Sequence, residues 1–403
     1  MVNKLISELG AEKGIQRLAA KISFRMKQPR YEKNEASGNG GEKPFSHVTY
    51  CVATNAGDTV LSQCVRRTIE SQFKTSGWNL INVTREVNSD TIRAINDCGM
   101  LVIGGGGLFL PDTNKNTISG WQWAIPEELL DKIEVPICIY SVGYNYFHGQ
   151  ETNELFKEAL TKLAEKSSFF GLRNMGSVNA IKGMLPNELS SKVTFQPCTT
   201  TLIRKLYNDS IPQKSETSNI AVNMAFDRAS LRFGYKKDDI LQQVADAVKQ
   251  IQLRGYKIFY VCHCWDDDLF LPYLKESSVD YTLVDLSRKY PADVIKFYNN
   301  MDLVLGMRGH AQMIPFGLNC EIISLGTHDK MKWFLDDIHA EDWYIDLTKE
   351  IDQISEKVQD VFENIHERNK SITKERLLEA QNMLWNITEE NLKVIRGGVL
   401  EIV

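Results

Sequence analysis

Beyond residue 46, short apolar runs alternate with longer stretches whose apolar residues recur every three or four positions. "HVTYCVAT" (47–54), "GMLVIGGGG" (99–107), "VPICIYSVGY" (135–144), "SSFFGLRN" (167–174) and "KVTFQPCTT" (192–200) read as strands that run into polar or glycine-rich loops. "NAGDTVLSQCVRRTIES" (55–71) reads as a loop entering an amphipathic helix. The polar stretch "LYNDSIPQKSETSN" (206–219) breaks the pattern and predicts an interdomain hinge. A second set follows, with "IAVNMAF", "KIFYVCHC", "YTLVDL", "DLVLGM" and "EIISLG" as strands. "DDILQQVADAVKQIQLRG" and "PADVIKFYNNM" read as the helices between them, and residues 351–403 as mostly charged helix. Strands joined through helices pair in parallel, and ligands then bind at their carboxyl ends. The expectation is an α/β protein with two doubly wound domains, 46–205 and 219–350, facing a cleft.

Residues 1–45 differ. Leu5, Ile6, Leu9, Ile15, Leu18, Ile22 and Met26 recur at helical spacing, and seven Lys and Arg residues up to Arg30 oppose only Glu8 and Glu12. Two readings stand: a solvated helix packed on its own domain, or a basic surface resting on anionic lipid or a membrane-bound partner through residues 1–30. "NEASGNGGEKP" (34–44) reads as a flexible linker. The full chain of 403 residues is 43% hydrophobic and 25% charged with a net charge of -5, an ordinary soluble composition that gives no case for nucleic acid. No apolar run approaches the roughly 20 residues of a bilayer span, and the N-terminus shows no signal-peptide core. A cytoplasmic protein is expected, reaching the inner face of the membrane under the second reading. Eight cysteines without framework spacing suggest free thiols.

"CHCWDDD" (262–268) brings Cys262, His263 and Cys264 together, but strand alternation separates imidazole from thiols and no second ligand pair follows, so no metal is expected. The run Gly104 to Gly107 fails the dinucleotide fingerprint, because Phe109 stands where its third glycine belongs. It is either a tight turn or a nest of N–H groups, through Gly105 and Gly106, for an anion or sugar. Between the first strand and its helix lie Asn55 and Asp58, and Asp58 either caps the helix or faces the cleft. The strongest signal is "MDLVLGMRGHAQMIPFGLNC" (301–320), which places Arg308 and His310 at a strand's carboxyl end beside a helix start. Arginine offers a bidentate fork to carboxylate or phosphate, and histidine moves a proton near neutral pH. The next strand adds His328 and Lys330 at the same rim. Such a rim suits a small, highly charged anion.

Together "TNAGDTVL", "LVIGGGGLF", "SVGY", "GLRN", His263 with Asp268, and "GMRGHAQMIPFGLNCEIISLGTHDKMKWFLDDI" resemble the polysaccharide pyruvyl transferase family over about residues 46–345. The resemblance implies two Rossmann-like domains in a GT-B-like arrangement. It also implies transfer of pyruvate from phosphoenolpyruvate to a sugar as a ketal, with release of phosphate and no cofactor beyond that donor. Arg308 and His310 match the family's Arg-x-His, and Lys330 its downstream lysine. "QPCTTTL" stands where many members carry Pro-Asp, so no carboxylate is expected at Cys198. Under this reading Arg308 and Lys330 anchor the donor's two anionic groups, with Arg173 a third cation, and His310 cycles between acid and base. Asn55, Asp58, Gly105, Gly106, His263 and His328 complete the substrate contacts. The acceptor is expected to be a lipid-linked oligosaccharide destined for a bacterial surface glycan, exopolysaccharide or capsule. Two other readings remain: a glycosyltransferase or epimerase using a nucleotide-sugar, and a non-catalytic scaffold in glycan assembly.

Overall fold

The computed structural model describes residues 38–51, 55–110, 117–146, 150 and 152–400. The basic stretch 1–30 lies outside them. Two parallel six-stranded sheets form the frame. The first holds β1 (Phe45–Thr49), β2 (Trp78–Asn82), β3 (Leu101–Phe109), β4 (Ile137–Tyr144), β5 (Ser167–Leu172) and β6 (Val193–Phe195), in the order β2-β1-β3-β4-β5-β6. The second holds β7 (Asn219–Asn223), β8 (Lys257–Cys262), β9 (Tyr281–Asp285), β10 (Leu303–Gly306), β11 (Glu321–Gly326) and β12 (Tyr344–Asp346), in the order β12-β11-β10-β7-β8-β9. Each sheet first grows one way from its opening strand and then the other. Loops leaving β1 and β3, and those leaving β7 and β10, therefore diverge and open a crevice at the carboxyl ends. The expected α/β architecture of two doubly wound domains is the one observed.

Six helices carry or brace the residues that line this crevice: α1 (Ala56–Glu70), α2 (Met175–Lys182), α3 (Pro291–Asn299), α4 (His310–Phe316), α5 (Asp329–Asp337) and α6 (Lys370–Leu400). α1 follows the first sheet's opening strand, yet its Ala56, Val60 and Cys64 are buried with Val294, Ile295, Tyr298, Val304 and Ile314 of the second domain. Its first N–H, from Ala56, donates to the His263 carbonyl at 3.1 Å. A second crossing joins the Met175 N–H to the Asp337 carboxylate at 3.1 Å. α6 closes the chain over both domains. Gln381 donates to the Phe316 carbonyl, while Asn391 donates to the Phe195 carbonyl at 2.8 Å and to Gln196 Oε1 at 3.0 Å.

Several local expectations change. β1 ends at Thr49, short of the predicted 47–54. The glycine run lies inside β3 and does not end it: Gly105 and Gly106 take φ of +74° and +101°, and the pairing with β4 shifts register after Gly106. β8 ends at Cys262, so His263 and Cys264 sit on a loop where strand alternation does not apply. The described part of the 34–44 linker is docked. Asn39 accepts the Thr75 N–H and donates to the Phe73 carbonyl, both at 2.8 Å, and its own N–H reaches the Thr75 carbonyl. Gly38 and Gly41 serve close backbone approach, since a Cβ on either would overlap the backbone of residues 74–76. The hinge stretch is likewise tied down, Lys214 donating to the Asn319 carbonyl at 3.0 Å and the Thr217 N–H to Asp302 at 3.1 Å. Among the described residues no helix is long and apolar enough to cross a membrane.

Because Asn391 supplies the ties from α6 to β6, Asn391→Ala is expected to cost about 1–3 kcal/mol by leaving buried acceptors unmet. Urea unfolding checks this, and an unchanged midpoint removes α6 as an interdomain tie.

Candidate active site

A cavity of about 660 Å³ lies between the carboxyl ends of the two sheets. The first domain brings Asn55, Asp58, Gly105, Gly106 and Arg173 to it, and the second brings His263, Arg308, His310, His328 and Lys330. The sequence leaves Asp58 as cap or cleft residue. The cap is Asn55, whose Oδ1 accepts the Gly57 N–H at 2.9 Å, and Asp58 turns to the cavity.

There Asp58 Oδ1 stands 3.9 Å from His310 Nδ1, while Cys198 Sγ stands 3.9 Å from Nε2 on the other side. Burial, with Arg173, Lys330 and His263 nearby, holds the imidazole well below its ordinary range, so it is neutral. Burial pushes the Asp58 carboxyl the opposite way, to about 6, against the pull of Lys330, Arg173 and Arg308. His310 fits here because residue 57 is glycine: a Cβ on Gly57 would come within 2.5 Å of the His310 side chain.

Arg308 differs from expectation. Its Nε and Nη2 donate to Asp267 at 2.9 and 2.5 Å, and Nη1 donates to Asp227 at 2.9 Å. Burial opposes its charge, but Asp267, Cys264 and Asp227 hold it firmly protonated. The fork that the sequence assigns to a ligand is thus occupied by carboxylates of the chain. Asp267 is itself fully buried and also accepts the N–H groups of His263 and Cys264 at 2.9 and 3.1 Å. The hydrogen-bonded acidic partner of Arg308 in this loop is Asp267.

The unmatched cation is Arg173. It is 3% exposed, and its Nε and Nη2 have no hydrogen-bond partner among the described residues. Burial lowers its proton affinity, with only Cys198 and Asp58 opposing. Gly143 makes the bed for it, since a Cβ at that position would overlap the guanidinium. Lys330, in the first turn of α5, is pushed well below the ordinary lysine range by burial, then by Arg173 and Arg232. His328 Nδ1 lies 3.4 Å from Arg232 Nη1, and burial with Arg232 and Lys330 keeps the ring neutral. His263 is fully buried, with Nε2 2.6 Å from the Tyr298 hydroxyl, and steadies the Asp267 loop. Sequence reasoning missed Asp227, Asp267 and Gly143. The glycine of "SVGY" was a signal for the last, but nothing local marks the two aspartates.

Two parallel-sheet domains with a cleft between the carboxyl ends of their strands define a GT-B-like fold. The fold is similar to that of S. aureus MnaA in its UDP co-structure, at 10% identity and TM-score 0.53, covering 83% of this chain and 91% of that one. It is also similar to a putative UDP-N-acetylglucosamine 2-epimerase from Listeria monocytogenes (8% identity, TM-score 0.53, 83% and 91% covered). Neisseria meningitidis UDP-GlcNAc 2-epimerase bound to UDP-GlcNAc is a third, at 11% identity and TM-score 0.50 over 88% and 99% of the chains. At such identities the likeness concerns the fold alone. No curated protein matches the chain. The family model for polysaccharide pyruvyl transferase matches residues 55–329, and the chain belongs to that family. It is therefore a transferase of polysaccharide pyruvylation with a sugar acceptor.

Gly57→Ala tests the seat of His310. The new methyl must displace His310, a packing cost that alanine's helix preference offsets in part, and the displaced imidazole should lower turnover by roughly 100-fold. Undiminished turnover with a normal melting curve contradicts the assigned seat.

Proposed function

We propose that the donor is phosphoenolpyruvate and that Arg173 and Lys330 bind its anionic groups. One observation carries this reading: the buried Arg173 and the half-buried Lys330, from opposite domains, face the same cavity, and Nε and Nη2 of Arg173 have no hydrogen-bond partner among the described residues. Burying such charges costs several kcal/mol each, and a ligand with carboxylate and phosphate on neighbouring atoms offsets that cost at both. Arg308 acts here as a scaffold, with its forks on Asp267 and Asp227.

Donor binding changes the proton chemistry. Arg173 and Lys330 help keep His310 neutral, so pairing them with anions raises the imidazole's proton affinity beside the donor. His310 then delivers a proton to the methylene carbon, and one sugar hydroxyl adds at C2, losing its own proton to the His310–Asp58 pair. The C2–O bond to phosphate next breaks, and the second hydroxyl adds at C2. Of the two hydroxyl protons, one ends in the new methyl group and the other leaves on hydrogen phosphate. The scheme calls for no metal or nicotinamide. The acceptor we infer is a sugar of a bacterial surface-glycan precursor.

Incubation with phosphoenolpyruvate and a panel of lipid-linked glycans should release phosphate and add pyruvate minus one water to one product, read by mass spectrometry. Release of a nucleoside diphosphate from a nucleotide-sugar instead would replace this reading. Arg173→Ala and Lys330→Ala should each weaken phosphoenolpyruvate binding by roughly 30-fold or more in calorimetry. Wild-type affinity in both moves the anion site elsewhere.

The pH profile tests Asp58. Its carboxyl titrates at about 6, and only the ionised form supports a charged His310. kcat/KM should therefore fall as pH drops through about 6. Asp58→Asn should be slower and lose that acid limb; a limb that persists belongs to the donor's phosphate.

A further inference from the structure

The loop after β6 reaches across the domain boundary and grips helix α4 at both ends. Cys198, 2% exposed, sets its Sγ 3.9 Å from Nε2 of His310, the first residue of α4. At the far end Gly317 rests on the Thr200 carbonyl, where a Cβ would overlap that oxygen, and its own carbonyl accepts the Arg204 N–H at 3.0 Å. The loop itself is pinned. The Cys198 carbonyl accepts the Thr201 N–H at 2.9 Å and the Thr201 hydroxyl at 2.7 Å, and the Cys198 sulfur lies 3.2 Å from the Thr200 hydroxyl oxygen.

The two nitrogens of His310 therefore meet different chemistry. Nδ1 has Asp58 beside it, a residue of the cavity wall, with Oδ1 at 3.9 Å. Nε2 meets Cys198, with Thr200 behind it, both of them buried and neither lining the cavity. The charged and titratable groups acting on the ring are Asp58 from α1, Arg173 after β5, Lys330 from α5 and His263 after β8. The loop after β6 adds a neutral group, because burial keeps the Cys198 thiol protonated. Sulfur is a weak acceptor. It orients an Nε2–H but stabilises the imidazolium far less than a carboxylate would, so the charged ring remains a strong acid suited to protonating carbon. A ring nitrogen bonded to a fixed group keeps its proton and leaves exchange to the other. We propose that Cys198 is a positioning residue of the reaction, holding the Nε2 edge of His310 with an uncharged thiol so that the moving proton is exchanged at Nδ1, beside Asp58. In the addition step Nδ1–H of the charged ring gives its proton to the methylene carbon. The bare Nδ1 then takes the proton of the first sugar hydroxyl, while Nε2–H and the thiol keep theirs. This rests on the reading of His310 as acid and base in pyruvyl transfer.

The test joins kinetics of the full chain to the Cε1–H resonances of its seven histidines, that of His310 being the one lost in His310→Gln. In Cys198→Ala the ring loses its hold, so kcat should fall by roughly tenfold or more while the KM for phosphoenolpyruvate stays near wild type. Cys198→Ser keeps a small acceptor and should recover much of kcat. Cys198→Asp sets an anion against Nε2. The His310 resonance, which should hold one position above about pH 6 in the wild type, should then titrate near or above about pH 7. The assignment is overturned if Cys198→Ala keeps the wild-type kcat, or if Cys198→Ser loses as much as Cys198→Ala. It is overturned equally if a folded Cys198→Asp leaves the His310 titration where the wild type has it. Should that variant not fold, the alanine and serine pair decides alone. Wild-type turnover in His310→Gln would instead overturn the acid–base reading on which the proposal rests, and the spectra would still report whether residue 198 faces the ring.

Discussion

The ion-paired guanidinium of Arg308 is the constraint on which the cleft depends. Buried at the tip of β10, it holds Asp267 on the loop after β8 and Asp227 on the loop after β7. Asp267 in turn accepts from Asn223 at the end of β7 and from two N–H groups of its own loop. Three carboxyl-end loops are therefore fixed relative to one another by one charge cluster. Breaking a buried pair of this kind costs about 3–5 kcal/mol, because the abandoned charge stays desolvated. His310, two residues beyond Arg308, inherits its position from that cluster.

The end proposed for the donor is built on the opposite principle. Arg173, buried, and Lys330, half-buried, have less negative charge beside them than they need, and folding bears that cost. Sites that break a local rule of stability in this way mark function, because a ligand restores what the fold lacks. In the proposed mechanism, catalysis by the His310–Asp58 pair depends on the same deficit. There the imidazole gains proton affinity when the donor's anions bind, so its protonation follows occupancy of the site.

Much of this was legible in the sequence. The alternation of strands and helices gave both sheets, and the position of Arg308, His310 and Lys330 at strand ends gave the rim they occupy. What the sequence did not show is that carboxylates of the chain occupy the Arg308 fork, while Nε and Nη2 of Arg173 have no hydrogen-bond partner among the described residues. Both are arginines at the end of a strand, and the difference lies in whether a carboxylate faces them from another strand. Asp267 and Asp227 are separated from Arg308 by about 40 and 80 positions, so no local pattern records the pairing. The glycine run was misplaced for a related reason. Positive φ at Gly105 and Gly106 bends β3 without ending it, and a run of glycines reads as a turn until its pairing with β4 is seen.

Helix α1 has a consequence for synthesis of the chain. Its Ala56, Val60 and Cys64 lie against residues 294–314, which the ribosome makes some 240 residues later. At about 5–20 residues per second that interval is roughly 10–50 s. Throughout it, the first domain carries an apolar helical face whose native cover is incomplete, with Ile203, Ile211, Ala221 and Val261 of its buried neighbours made earlier. The nascent chain thus has a defined period in which chaperone capture competes with misassociation, and it ends only when α3 and α4 emerge.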